Sequence, residues 1–136
     1  MLPDEVKTRM VEKLIQKVYP SFVILYGSFA KGTVRGESDI DLAFFGDKRL
    51  SAYERFDLAN ELAMIGGRDV DLVDIRDADA VLAVQIFAHG IPLYIRDENE
   101  YLRQRMRAFS MYADFNERLA PVMEAIKSRG SVYGDE

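Results

Sequence analysis

The sequence predicts an α/β (α+β) fold, in which a small sheet is flanked by helices and a long helix closes the chain. Short apolar runs of strand length alternate with stretches whose apolar residues recur at helical spacing. Glycine or proline marks most of the junctions between them. Because 136 residues is an ordinary length for one domain, we expect a single domain over residues 1–127 and a flexible polar tail over 128–136.

The first part of the chain predicts two helical segments and two strands. A helical stripe runs from Asp4 to Val18 and ends before Pro20. The apolar run from Phe22 to Tyr26 predicts a buried strand, and Ser28 to Lys31 a short helical turn. After a loop rich in turn residues, a second strand is predicted from Asp39 to Phe45.

The next helix begins with a capping signal. Ser51 is followed three residues later by Glu54, which is the pattern of a capping box. The apolar side of this helix is predicted to comprise Phe56, Ala59, Leu62 and Ala63. A pair of glycines at 66 and 67 is expected to end it.

The last elements are a strand, a helix, an edge strand and the long helix. The strand is predicted from Asp69 to Ile75, and Asp77 is the predicted cap of the helix that ends at Gly90. Ile91 to Ile95 reads as a short edge strand, since its proline is best tolerated there. A long amphipathic helix starts after Asp97.

Composition limits the classes of function. A formal net charge of −5 argues against direct binding of nucleic acid, which usually requires an excess of lysine and arginine. No apolar run reaches the ~20 residues of a membrane span. The absence of cysteine excludes disulfides and thiolate chemistry, and no secretory signal leads the chain, so a cytoplasmic location is expected.

A glycine-serine turn and a pair of aspartates form the candidate site. Gly27 allows a sharp turn after the first strand, so that Ser28 and the following amides can face a phosphate. Asp39 and Asp41 are two apart on a strand and therefore share one face. Paired carboxylates are hard oxygen ligands of the kind that Mg²⁺ prefers.

Two metal ions would need a third carboxylate. Asp71 on the third strand is our candidate, although Asp69 shares its face and Asp74 lies near the strand end. Lys31 and Arg35 are the basic residues nearest the turn, and Lys31 is the candidate phosphate contact.

Residues 25–32 and 38–42 together resemble the DNA polymerase β-like nucleotidyltransferases, and in particular the minimal nucleotidyltransferases known as MNT antitoxins. The resemblance implies the polymerase-β-like fold with a small mixed sheet. It implies that Gly27 and Ser28 hold the triphosphate of ATP, and that Asp39, Asp41 and Asp71 bind two Mg²⁺ ions and carry the catalysis. Many relatives have a basic residue after the serine, where this chain has Phe29.

The resemblance also implies a partner. MNT proteins pair with HEPN-domain RNase toxins and add AMP to a toxin tyrosine, so we expect an adenylyltransferase antitoxin that forms a hetero-oligomer with its toxin. One alternative is a nucleotidyltransferase acting on a small molecule such as an aminoglycoside. The other is an antitoxin that neutralises its partner by binding and occlusion alone. The aromatic stripe of the last helix, which includes Tyr101 and Phe109, is either intramolecular core or a partner-facing surface.

Overall fold

A computed structural model of the chain describes residues 2–36 and 38–129. Five α-helices, four strands and one 3₁₀ helix follow each other in these residues, and the elements in order are α1 (Asp4–Val18), β1 (Pro20–Tyr26), α2 (Ser28–Lys31), β2 (Ile40–Gly46), α3 (Ala52–Gly66), β3 (Val70–Asp74), the 3₁₀ helix (Ile75–Asp77), α4 (Ala80–His89), β4 (Ile91–Ile95) and α5 (Glu98–Arg129).

The four strands form one mixed sheet in the order β3-β2-β1-β4. β1 pairs antiparallel with both β2 and β4, whereas β2 and β3 are parallel. The predicted α/β fold with a small mixed sheet and a long C-terminal helix is therefore confirmed. β4 is an edge strand, which is where its Pro92 can be accommodated.

Each face of the sheet has its own apolar core. On one face, α1 and α3 cover β-strand residues such as Leu25, Ile40 and Leu42. On the other, α4 and the first part of α5 cover Phe22, Ile24 and Ala43. Because strand side chains alternate, Asp41 and Tyr26 fall on the α4 face, where both are only partly buried.

An aromatic cluster fixes the start of α5. Phe22 stacks with Phe45 at a centroid distance of 5.8 Å, and Tyr101 meets Phe22 edge-on at 5.2 Å. Tyr101 also contacts Phe87 of α4 at 5.7 Å. This part of the aromatic stripe is intramolecular core.

The cap of α4 and the buried face of α3 differ from the sequence prediction. The cap of α4 is Asp79, whose carboxylate accepts a hydrogen bond from the Leu82 amide at 2.8 Å, and not Asp77, which lies in the 3₁₀ helix and pairs with Arg49. Phe56 is 65% exposed, whereas the predicted Leu62 is buried together with Leu58, which the prediction did not include.

The predicted capping box of α3 is present. The Glu54 amide donates to the Ser51 hydroxyl at 3.1 Å, and the Ser51 amide donates to the Glu54 carboxylate at 2.9 Å. At the other end of the chain, α5 includes the first two residues of the predicted tail, and residues 130–136 of that tail lie outside the described part of the chain. None of the described helices combines the length and apolar character needed to cross a membrane.

Candidate active site

Gly27 makes the turn that separates β1 from α2. Its φ of +72° lies in a region that residues with a side chain rarely occupy. A Cβ at this position would stand 2.1 Å from the Oδ2 atom of Asp41. Glycine is thus required both by the backbone angle and by the close approach of the turn to a carboxylate.

The Gly27 turn leads directly into the short helix α2, for which Gly27 is the N-cap. The amides of Ala30 and Lys31 donate to the Gly27 carbonyl at 3.1 and 3.0 Å. The amides of Ser28 and Phe29 precede these bonds and have no acceptor within the helix. The Ser28 hydroxyl is half-buried beside them, so this end of the turn offers donors to an anion.

The sheet register places an acidic row next to the turn. Asp41 of β2 lies opposite Tyr26 on β1 and opposite Asp71 on β3. Residues directly opposite each other on neighbouring strands share a face, so the three side chains form one row across the sheet. Asp39 precedes β2 by one residue and lies on the same side as Asp41.

Electrostatic crowding is strongest at Asp41. Its side chain is half-buried, and burial together with the charges of Asp71 and Asp39 raises the pKa of its carboxyl from 3.8 to about 6. Asp39 and Asp71 are exposed. A cation bound between these groups would relieve the repulsion that raises the pKa of Asp41.

Carboxylate oxygens suit a hard cation such as Mg²⁺, and by the nature of its donors the acidic row fits this ion. In residues 2–36 and 38–129, no group of three or more acidic, histidine or cysteine side chains converges closely enough to hold a metal ion. To bind a metal ion together with Asp41, the exposed side chains of Asp39 and Asp71 would therefore have to rotate toward it.

Asp71 is the predicted third carboxylate, and the structure separates its environment from those of its neighbours Asp69 and Asp74. Asp69 precedes β3, and its carbonyl accepts a bond from the Ile40 amide at 2.9 Å. Asp74 is buried at the far end of β3, where it accepts a bond from the Arg76 amide at 3.0 Å. Of the three, Asp71 is the one in register with Asp41.

Lys31 is exposed at the end of α2, on the rim of a pocket of about 400 Å³. Tyr26 and Gly27 line the same pocket, and its opposite wall is formed by α4, including Gln85 and His89. The pocket therefore opens directly beside the glycine-serine turn.

Two residues of the site were not singled out from the sequence. The sequence pattern predicts Tyr26 only as the end of a buried strand, yet burial and the charges of Asp71 and Asp41 raise the pKa of its hydroxyl well above the ordinary value. Its position directly before Gly27 was the available signal. The second residue, Arg68, contacts residues about thirty positions away in the sequence, and no local pattern indicates such contacts.

Comparison with known proteins agrees with this geometry. The family model for polymerase beta nucleotidyltransferases matches residues 9–99, a range that contains the turn and the acidic row. The chain belongs to the polymerase beta nucleotidyltransferase family. Among curated relatives, it is 33% identical to the protein adenylyltransferase MntA of Shewanella oneidensis over 111 residues, which cover 80% of this chain and 79% of MntA.

Solved structures with the same fold include two toxin–antitoxin complexes. One was determined with AMP-PNP and contains a chain that is 27% identical, with a TM-score of 0.81, covering 89% of this nucleotidyltransferase and 98% of that chain. The other holds a tri-AMPylated HEPN toxin of Shewanella oneidensis with an MNT antitoxin. Its matching chain is 24% identical with a TM-score of 0.77, and covers 90% of this chain and 97% of that one. At 24% identity the likeness concerns the fold alone.

Proposed function

We propose that this nucleotidyltransferase is an antitoxin that transfers AMP from ATP to a tyrosine hydroxyl of a cognate HEPN RNase toxin and thereby neutralises it. The observation that carries the proposal is the register of Asp41 with Asp71 beside the Gly27 turn. The 33% identity to a protein adenylyltransferase supports AMP as the transferred group and a protein as the acceptor.

Asp39, Asp41 and Asp71 would hold two Mg²⁺ ions. When bound, Mg²⁺ lowers the pKa of an acceptor hydroxyl and stabilises a departing pyrophosphate. Asp71 belongs on the acceptor side, where its carboxylate takes the proton of the tyrosine hydroxyl. The tyrosine oxygen then forms a bond to the α-phosphorus as the bond to pyrophosphate breaks.

The glycine-serine turn holds the triphosphate in line for this attack. The Ser28 hydroxyl and the first amides of α2 donate to phosphate oxygens, and Lys31 adds a positive charge on the rim. The adjacent pocket of about 400 Å³ is in the size range of small-molecule sites, which fits a bound nucleotide. Positioning of reactants supplies a large share of the acceleration in such reactions.

The same proposal includes a hetero-oligomer with the toxin in the cytoplasm. The lack of cysteine fits a reducing compartment. The net charge of −5 fits a protein that faces an RNase active site, whose surface must attract RNA.

The test uses the proposed cognate HEPN RNase and ATP labelled at either the α- or the γ-phosphate. We expect label from α-labelled ATP, and not from γ-labelled ATP, on a tyrosine of the RNase. The RNase should stay inactive after the antitoxin is removed. Full recovery of RNase activity on separation, with no label transferred, would instead support neutralisation by occlusion.

A further inference from the structure

Arg68 joins the two segments from which the candidate site is built. This residue lies between α3 and β3, and its Nη1 atom is 3.1 Å from the carbonyl oxygens of both Arg35 and Gly36 and 3.2 Å from that of Ser38. Its guanidinium lies over the Phe29 ring, with 5.1 Å between the guanidinium carbon and the ring centroid. One side chain thus contacts the loop before β2 and the helical turn after β1.

Both contacts of Arg68 involve residues that are adjacent in sequence to residues of the candidate site. Ser38, the last of the three residues whose carbonyls accept from Arg68, directly precedes Asp39, and Phe29 directly follows Ser28. The loop is also closed on itself, since the Arg35 amide donates to the Ser38 hydroxyl at 2.8 Å and the Ser38 amide to the Arg35 carbonyl at 3.0 Å. Arg68 connects this closed turn to the rest of the domain.

Asp39 depends on such support more than the other carboxylates do. Asp41 and Asp71 lie within strands, where ladder hydrogen bonds fix their backbone. Asp39 is exposed and lies just outside β2. A charged donor that draws several carbonyls together stabilises the loop that leads to it, because charge-assisted hydrogen bonds are stronger than neutral ones.

We propose that Arg68 is a positioning residue for nucleotidyl transfer, which holds Asp39 and the Ser28 turn in a fixed relation so that metal and triphosphate meet in the right geometry. This inference rests on the proposed function for its kinetic part. The contacts of Arg68 are themselves independent of the acceptor.

The variants are Arg68→Met, which keeps the apolar stem and loses the donors, and Arg68→Lys, which keeps a charge and three donors but loses the planar face. The same change at an exposed arginine of α1, Arg9→Met, is the control. We expect Arg68→Met to lower the transfer rate on the order of 10- to 100-fold and to raise the half-saturating Mg²⁺ concentration. Arg68→Lys should recover part of both effects, and Arg9→Met should match the wild type.

Amide hydrogen exchange of the metal-free protein supplies a readout without catalysis. Exchange at Ser38 and at residues 33–36 should accelerate in Arg68→Met, while exchange in the strands stays unchanged. Wild-type transfer by Arg68→Met, or a loss of transfer without any change in Mg²⁺ dependence and loop exchange, would overturn the inference. If the wild type itself transfers no AMP, the proposed function fails, and loop exchange still decides the role of Arg68.

Discussion

Asp41 has the least favourable electrostatic position of the acidic row, because it is half-buried between Tyr26 and Asp71 while Asp39 approaches from the same face. Asp41→Asn should abolish transfer and yet stabilise the metal-free protein at neutral pH. A pKa raised from 3.8 to about 6 means that the native state binds this proton more tightly than the unfolded chain does. Stability is therefore lost as the pH rises through this interval, and it stays lower above it.

The Asp41→Asn variant should keep its stability as the pH rises, because asparagine does not ionise. Water screens part of the repulsion at a half-buried group, so the expected gain is about 1–2 kcal/mol in the free energy of unfolding near neutral pH. Urea unfolding at about pH 4 and about pH 7.5 checks this, with the exposed Asp47→Asn as control. An equal stability of Asp41→Asn and wild type at the higher pH would show that the repulsion is not felt.

Substitutions at Gly27 and at Ser28 are expected to weaken Mg-ATP binding to different extents. Ser28→Ala removes one donor to the phosphates and should weaken Mg-ATP binding by about 1–3 kcal/mol. Gly27→Val should be worse, since its Cβ would lie 2.1 Å from the Asp41 carboxylate at a backbone φ of +72°. Gly36→Ala is the matched control, because a Cβ there has no heavy atom within 4 Å.

Calorimetric titration of each variant with Mg-ATP measures the difference. Unchanged dissociation constants for both Ser28→Ala and Gly27→Val would place the phosphates elsewhere.

The third carboxylate can be assigned by comparing three variants. Asp71→Asn should lose transfer far more than Mg-ATP binding, because its expected place is on the acceptor side. Asp69→Asn should be mild, and Asp74→Asn should lower stability rather than transfer, since Asp74 is buried against Arg76. Single-turnover transfer and nucleotide binding measured on the same preparations separate these outcomes. An inactive Asp69→Asn beside a fully active Asp71→Asn would show that the assignment is wrong.

At the scale of elements, the start of α4 provides a test of the corrected cap. Asp79→Ala removes the hydrogen bond to the Leu82 amide and should cost about 1 kcal/mol of stability. Asp77→Ala removes an ion pair with Arg49 between exposed side chains. The expected loss in the free energy of unfolding is about 0–1 kcal/mol. Chemical denaturation measures the free energy of unfolding of both variants. A larger loss of stability for Asp77→Ala would show that Asp77, the cap predicted from the sequence, is the more important of the two.

Much of the secondary structure and the candidate site could be predicted because their signals are local. The helix α1 begins and ends at the predicted residues, and the turn at Gly27 follows from one glycine after an apolar strand. The choice between Asp77 and Asp79 could not be made in this way, because both precede the same apolar stripe. The sheet register that aligns Asp41 with Asp71, and the contacts of Arg68, depend on the tertiary arrangement of distant segments.

The exposure of Phe56 has the same kind of cause. Sequence periodicity places Phe56 on the apolar side of α3, but the helix is rotated so that Leu58 and Leu62 face the sheet. The rotation of a helix about its own axis is set by the layer on which it packs. The helix's own pattern of apolar residues predicts that rotation only approximately, because the apolar stripe is wide.

At the scale of the whole molecule, α5 runs from Glu98 to Arg129, and its buried residues all lie in its first half. Its first turns are anchored through Tyr101, Gln104 and Ala108, which contact or lie within the core. Further along, an apolar stripe is exposed to solvent, and its members are Leu119, Val122, Met123 and Ile126. Such a stripe on a small domain fits the expected association with a partner protein, which stays a prediction.

The most direct test is the intact mass of the proposed cognate HEPN RNase after incubation with Mg-ATP and either the wild-type protein or its Asp39→Asn variant. We predict a mass increase of one or more AMP units with the wild type and none with the variant. The modified RNase should remain inactive once the antitoxin is removed. An unmodified RNase together with equal protection by Asp39→Asn would contradict catalytic neutralisation and leave occlusion as the mechanism.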